Sequence, residues 1–126
     1  MQGLLFIAML ALFAVIAYKL ISRKLKLRGH EINSSDMLVR YSDGPYIVDV
    51  RTPDEYRQGH IPGVKLVPLN ELGRRYKEIP QDREVYIICH SGSRSAEAVI
   101  WLLKKGYDQV FNISGGMNRW QGPVEK

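Results

Sequence analysis

Cys89 is the only cysteine in the chain, and it is followed by His90-Ser91-Gly92-Ser93-Arg94, a run of small, polar and cationic residues. A thiol becomes a nucleophile when its thiolate is favoured, and backbone N–H groups, a helix N-terminus and nearby cations all favour it. Small residues after Cys89 let the backbone curl so that several N–H groups face one concave space, an anion nest beside a helix start. Such a nest can lower the thiol pKa and hold either an anionic substrate or a persulfide on Cys89. The competing reading is that Cys89 fills core space, as free cysteines commonly do. Its position between a strand end and a Gly/Ser loop running into a helix argues for the nucleophile.

Arg94 has two roles open to it. It either closes the loop by bonding its carbonyls or contacts a substrate anion, both of which suit a rigid fork of donors. The loop-closing role is the expectation, because a cation at a helix N-terminus otherwise opposes the dipole. His90 either assists as a cation or substrate contact or points to solvent. Ser91, Gly92 and Ser93 are expected to bind substrate through backbone N–H groups, with the hydroxyls adding donors. His60, in Gly59-His60-Ile61-Pro62-Gly63, has no partner at ligand spacing and reads as a turn residue rather than a metal ligand. Trp101 and Trp120 read as packing aromatics.

These residues need a scaffold, and apolar runs alternate with helix signals to supply one. Tyr46 to Val50 and Glu84 to Ile88 are short, rich in β-branched residues and read as buried strands, as does Gln109 to Ile113; Glu31 to Asn33 and Val64 to Val67 read as lesser strands. Ser34 or Ser35 can cap a helix through Tyr41, Asn70 one through Tyr76, and Thr52-Pro53-Asp54-Glu55 opens a third with a hydroxyl cap and acids in the first turn. Arg94 to Lys105 carries a helical stripe of Ala96, Val99, Ile100 and Leu103, ended by Gly106. Alternating strands and helices predict an α/β fold, a central parallel sheet flanked by helices. Cys89 then lies where a parallel strand ends, the edge at which open α/β sheets place ligands.

The segment from Gly3 to Ile21 is apolar on every face and carries a single charge, Lys19, near its end. At about 1.5 Å per residue such a run approaches the ~30 Å hydrocarbon thickness of a bilayer. Residues 1–21 therefore read as one transmembrane helix, residues 22–30 as a basic linker and residues 31–126 as the domain. A cleavable signal peptide would carry its cations before the apolar run and a small-residue site after it. Here Arg23, Lys24, Lys26 and Arg28 follow the run. That asymmetry predicts a retained single-pass membrane anchor with the domain facing the cytoplasm. A lone cysteine, unable to form an internal disulfide, fits a reducing compartment. These cations supply most of the net charge of +5, and with no basic stripe elsewhere no nucleic-acid partner is expected.

From Glu31 to Trp120 the chain resembles the rhodanese-like domains of sulfurtransferases. The resemblance rests on Val48-Asp49-Val50-Arg51, Glu55-Tyr56, Gly59-His60-Ile61-Pro62-Gly63, Cys89 through Arg94, and Gly115-Gly116 with Trp120, in that order. It implies a rhodanese-like central parallel sheet, with Asp49 and Arg51 near the active-site mouth and Arg51 as an anion contact. It also implies that Cys-x4-Arg is the sulfur-transfer spacing, one residue shorter than in phosphatases. The implied chemistry is sulfurtransferase action of the thiosulfate type, with Cys89 carrying sulfane sulfur as a persulfide between a thiosulfate-like anion and an external thiol, protein or cyanide acceptor. A tethered sulfur-carrier or docking module is the alternative. Neither a metal nor an organic cofactor is implied.

Overall fold

The computed structural model describes all residues, 1–126. Five strands, β1 (Glu31–Asn33), β2 (Tyr46–Asp49), β3 (Lys65–Leu66), β4 (Val85–Ile88) and β5 (Val110–Ser114), form one sheet in the order β1-β5-β4-β2-β3. Every pairing is parallel, so each connection must cross over a face of the sheet. The crossovers include helices α2 (Ser34–Arg40), α3 (Pro53–Arg57), α4 (Leu72–Arg75) and α5 (Ser93–Lys104), and α1 (Gln2–Lys26) precedes them all. This is the parallel sheet flanked by helices that the strand and helix alternation predicts.

Side chains alternate across a strand, and here they sort into two cores. Val48, Val85 and Ile87 face Ala96, Val99 and Leu102 of α5 on one side; Ile47, Tyr86, Ile88 and Ile113 face Met37 of α2 and Trp120 on the other. All four residues of β4 are buried, as the middle strand of a doubly covered sheet requires. Trp101 and Trp120 pack edge-on against Tyr76 and Tyr41 respectively.

Local details depart from the sequence reading in instructive ways. The cap of α2 is Asn33, whose Oδ1 accepts the Asp36 N–H at 2.8 Å. Ser34, expected as a cap, is buried instead, and its hydroxyl donates to Gly116 O at 2.8 Å. Between residues 69 and 78 only Leu72–Arg75 is α-helical, with a tighter 3-10 turn on each side and no side-chain cap from Asn70. The helical part of α1 runs to Lys26, so much of the expected linker is helix, and Leu27 directly after it is 4% exposed within the α5-side core.

Candidate functional site

Cys89 follows β4 directly, at the C-terminal edge of the sheet, and three residues later Gly92 caps α5 with φ +97° and ψ −2°. That left-handed turn folds the loop back over its own cysteine. The Gly92 N–H donates to Cys89 Sγ at 3.1 Å, the Ser95 N–H donates at 3.3 Å, and Ser95 Oγ lies 3.2 Å away. Sγ thus sits at the N-terminus of a twelve-residue helix among aimed dipoles. Burial pushes the thiol pKa up, while the Ser95 hydroxyl and the amides of Ser95, Gly92 and Ser91 pull it down, and the net is below the ordinary thiol value.

The loop is held from beneath by a second turn. Met117 N–H donates to Cys89 O and Asn118 N–H to His90 O, each at 2.8 Å. Gly116, at φ +51°, makes that approach feasible, since a Cβ there would overlap the Cys89 and His90 carbonyls. The Gly115-Gly116 pair is therefore part of the floor beneath Cys89. His90, Ser91 and Ser93 lie exposed along the rim, whereas Gly92 is buried.

Arg94 does not close the loop through its carbonyls. Its Nη1 and Nη2 donate to Glu55 Oε1 and Oε2 at 2.7 and 2.8 Å, a bidentate pair joining the first turns of α3 and α5. Glu55 also completes a capping box with Thr52. The Arg94 guanidinium, chiefly by hydrogen bonding, holds the Glu55 carboxyl down at about 2. Arg94 is thereby kept beside Cys89 with its charge offset.

Arg51 also departs from expectation. Rather than offering its guanidinium to an anion, it is 5% exposed and forked onto Asp49, with Nη2 at 2.8 Å from Oδ2 and also donating to Gly59 O at 2.8 Å. Burial leaves Asp49 in need of a counter-ion, and Arg51, two residues on and on the same side of the chain, supplies it. The pair braces the turn that ends α3. His60 belongs to the same brace: its ring stacks on Tyr56 at 3.6 Å, Nδ1 lies 2.8 Å from Tyr56 O, and Nε2 lies 3.3 Å from Glu125. No three His, Cys, Asp or Glu side chains cluster as a metal site.

Three site residues escaped the sequence reading as such. Ser95 stands one position beyond the loop, in the first helical turn. Glu55 advertised only its local capping role, and its pairing with Arg94 spans 39 positions. Asn112 is a polar residue inside a strand, 2% exposed, accepting from Ser95 Oγ at 2.6 Å. A buried amide in an apolar strand was the available signal, since such a group must find partners.

The chain matches the rhodanese-like domain over residues 34–123. A sulfurtransferase of Allochromatium vinosum is 41% identical over 93 residues, covering 72% of this chain and 87% of that protein. A candidate sulfur carrier protein of Bacillus subtilis, YrkF, is 46% identical over 79 residues, which is 63% of this chain and only 43% of that protein. Among solved structures, a rhodanese-like domain protein of Staphylococcus aureus superposes with a TM-score of 0.71 at 31% identity, over 76% of this chain and 96% of that one. The family match takes in every strand except β1 and the whole Cys89 loop, and the chain belongs to the rhodanese-like domain family.

Proposed function

We propose that this protein is a membrane-tethered sulfurtransferase in which Cys89 carries sulfane sulfur from a thiosulfate-like anion to an external thiol or protein. The observation that carries the reading is the Cys89 cradle, in which two backbone N–H groups and a hydroxyl surround Sγ within 3.3 Å. In the first half-reaction the thiolate attacks the outer sulfur of the donor. A new S–S bond forms at Cys89, the bond to the sulfonate sulfur breaks, and sulfite leaves with the electron pair. In the second, a thiolate or cyanide attacks the outer persulfide sulfur, and Cys89 departs as thiolate. The rim amides and helix dipole stabilise the anion present at each stage. With one cysteine in the chain, the acceptor is external.

The tether is α1. None of its 25 residues is buried against the domain, and its apolar side chains lie open, with Leu4 at 72% and Phe13 at 71% exposure. A helix of that length extends about 37 Å, enough for a bilayer. Its last turn carries Arg23, Lys24 and Lys26, which favours retention of the domain on the cytoplasmic side. Arg23 Nη2 also donates to Ser93 O at 2.6 Å. A membrane around residues 3–21 therefore holds the Cys89 loop near its surface.

The relative described as a candidate sulfur carrier favours a second reading, a delivery module that loads and hands over sulfur with little turnover of its own. Thiocyanate release from thiosulfate and cyanide, followed on the full chain in detergent with Cys89→Ser as control, distinguishes the two. Multiple turnovers abolished by the substitution support the enzyme. A single Cys89-dependent discharge supports the carrier, and release that survives Cys89→Ser refutes both. Reporter fusions at the C-terminus test orientation, and an extracytoplasmic signal contradicts it.

A further inference from the structure

Ser95 has one hydroxyl proton and two acceptors that want it. Its Oγ lies 3.2 Å from Cys89 Sγ and 2.6 Å from Asn112 Oδ1. The orientation of the Asn112 amide is not free. Its Nδ2 faces Glu31 Oε2 at 3.1 Å and Gly92 O at 3.3 Å, a carboxylate oxygen and a backbone carbonyl that offer it only acceptors. Nδ2 must point at them, so Oδ1 must point at Ser95. Cys89 and Ser95 are wholly buried and Asn112 is 2% exposed, so bulk water does not stand in for a missing donor.

We propose that Ser95 is a two-position donor whose proton moves between Cys89 Sγ and Asn112 Oδ1 during the sulfur cycle, and that Asn112, fixed by Glu31 and Gly92, is a positioning residue that sets the reactivity of the thiolate by competing for it. In the thiol form the S–H donates to Ser95 Oγ and the hydroxyl donates to Asn112. When the thiol loses its proton, the hydroxyl turns to Sγ and Asn112 Oδ1 is left without its donor. Once sulfur is taken up, the negative charge lies on the outer sulfur, Sγ is neutral, and the hydroxyl returns to Asn112. The free thiolate is thus the one state in which the network is incomplete, and loading with sulfur completes it. No atom is gained or lost in this rotation; only the direction of one O–H changes.

The charged groups around the loop have partners or positions of their own and stay in place through the rotation. Arg94 of α5 is paired with Glu55 of α3, Arg51 with Asp49 at the end of β2, Arg23 of α1 reaches Ser93 O, Glu31 lies on β1, and His90 is exposed on the rim. The opposing pull of burial and of the Ser95 hydroxyl on the thiol is consistent with a hydroxyl that matters to its ionisation. The inference rests on Cys89 acting as a thiolate, not on which donor loads it.

The test is the pH dependence of iodoacetamide alkylation of Cys89, the sole cysteine, on the full chain in detergent. Asn112→Leu removes the competitor, so the alkylation midpoint falls by about one pH unit, equivalent to ~1.4 kcal/mol. A less basic thiolate is also less nucleophilic, so the high-pH plateau drops roughly three-fold. Ser95→Ala moves the midpoint up by about one unit, and the double variant matches Ser95→Ala alone. A merely structural Asn112 does not produce opposite signs that vanish on removing Ser95. An Asn112→Leu midpoint that rises or stays put, or a shift that persists in the Ser95→Ala background, overturns the proposal. If Asn112→Leu does not fold, Asn112→Ala removes the same oxygen with less bulk, and gives the same direction and again nothing in the Ser95→Ala background; a shift that persists there overturns the proposal.

Discussion

Replacing Gly92 by alanine perturbs the cradle at the point where backbone shape and chemistry meet. Gly92 sits at φ +97°, and a Cβ there lies 3.0 Å from Gly115 N and 3.3 Å from Ser114 Cα. The left-handed conformation alone costs an L-residue about 1–2 kcal/mol. The contacts are with backbone, and the turn just beyond it is pinned under the Cys89 and His90 carbonyls by the Met117 and Asn118 N–H groups, each at 2.8 Å. Relief therefore requires the loop to move, and the strain adds about 1–2 kcal/mol more. The expected loss is about 2–4 kcal/mol, read as a downward shift of roughly 10–20 °C for a domain of this size. Intrinsic fluorescence of Trp101 and Trp120 follows unfolding of the domain without contribution from α1, which has no tryptophan. The same movement draws the Gly92 N–H away from Sγ, so the alkylation midpoint of Cys89 rises by about one unit, the equivalent of one charge-assisted hydrogen bond. A Gly92→Ala variant with unchanged melting and unchanged thiol titration refutes the claim that this amide and this turn make the cradle.

Glu55→Gln tests the brace between α3 and α5. Its carboxyl is held at about 2 by Arg94, and its side chain is 33% exposed; the shift corresponds to roughly 3 kcal/mol before solvent screening and about 1–2 kcal/mol after it. A carboxyl with a depressed folded pKa stabilises above its unfolded value, and the contribution fades as pH falls from about 4.5 toward 2. The stability gap between the natural protein and Glu55→Gln, measured by denaturant unfolding, should be full at neutral pH and close across that acid window. A gap independent of pH contradicts the pairing. Leu27→Ala tests whether the end of α1 is built into the domain: at 4% exposure its truncation should lower stability by about 2–4 kcal/mol. A flexible linker residue would lose almost nothing in the same unfolding experiment.

The sequence carried those features that depend on neighbours in the chain. The short apolar runs rich in β-branched residues disclosed β2, β4 and β5, and the stripe with its terminal Gly106 disclosed α5, because run composition, helical periodicity and capping are local. The Cys89 loop was legible for the same reason, since curling toward an anion needs small residues between a strand and a helix. Partnerships across the fold were not. Arg94 looked like a loop-closing or anion-binding cation until α3 brought Glu55 to it, and Arg51 looked like an anion contact until burial of Asp49 claimed it. Asn33 displaced Ser34 as the cap because Ser34 is drawn inward to the Gly116 carbonyl, a contact spanning most of the chain. The basic run after Ile21 read as linker, yet helix propensity carried α1 through it and the core took Leu27.

The most direct test of sulfur carriage is the intact mass of the full chain after incubation with thiosulfate. One added sulfur atom per chain is predicted, matched by one sulfite released, absent in Cys89→Ser and removed by cyanide as thiocyanate. A protein that gains no sulfur, while its Cys89 remains freely alkylated by iodoacetamide, contradicts the assignment of Cys89 as the carrier.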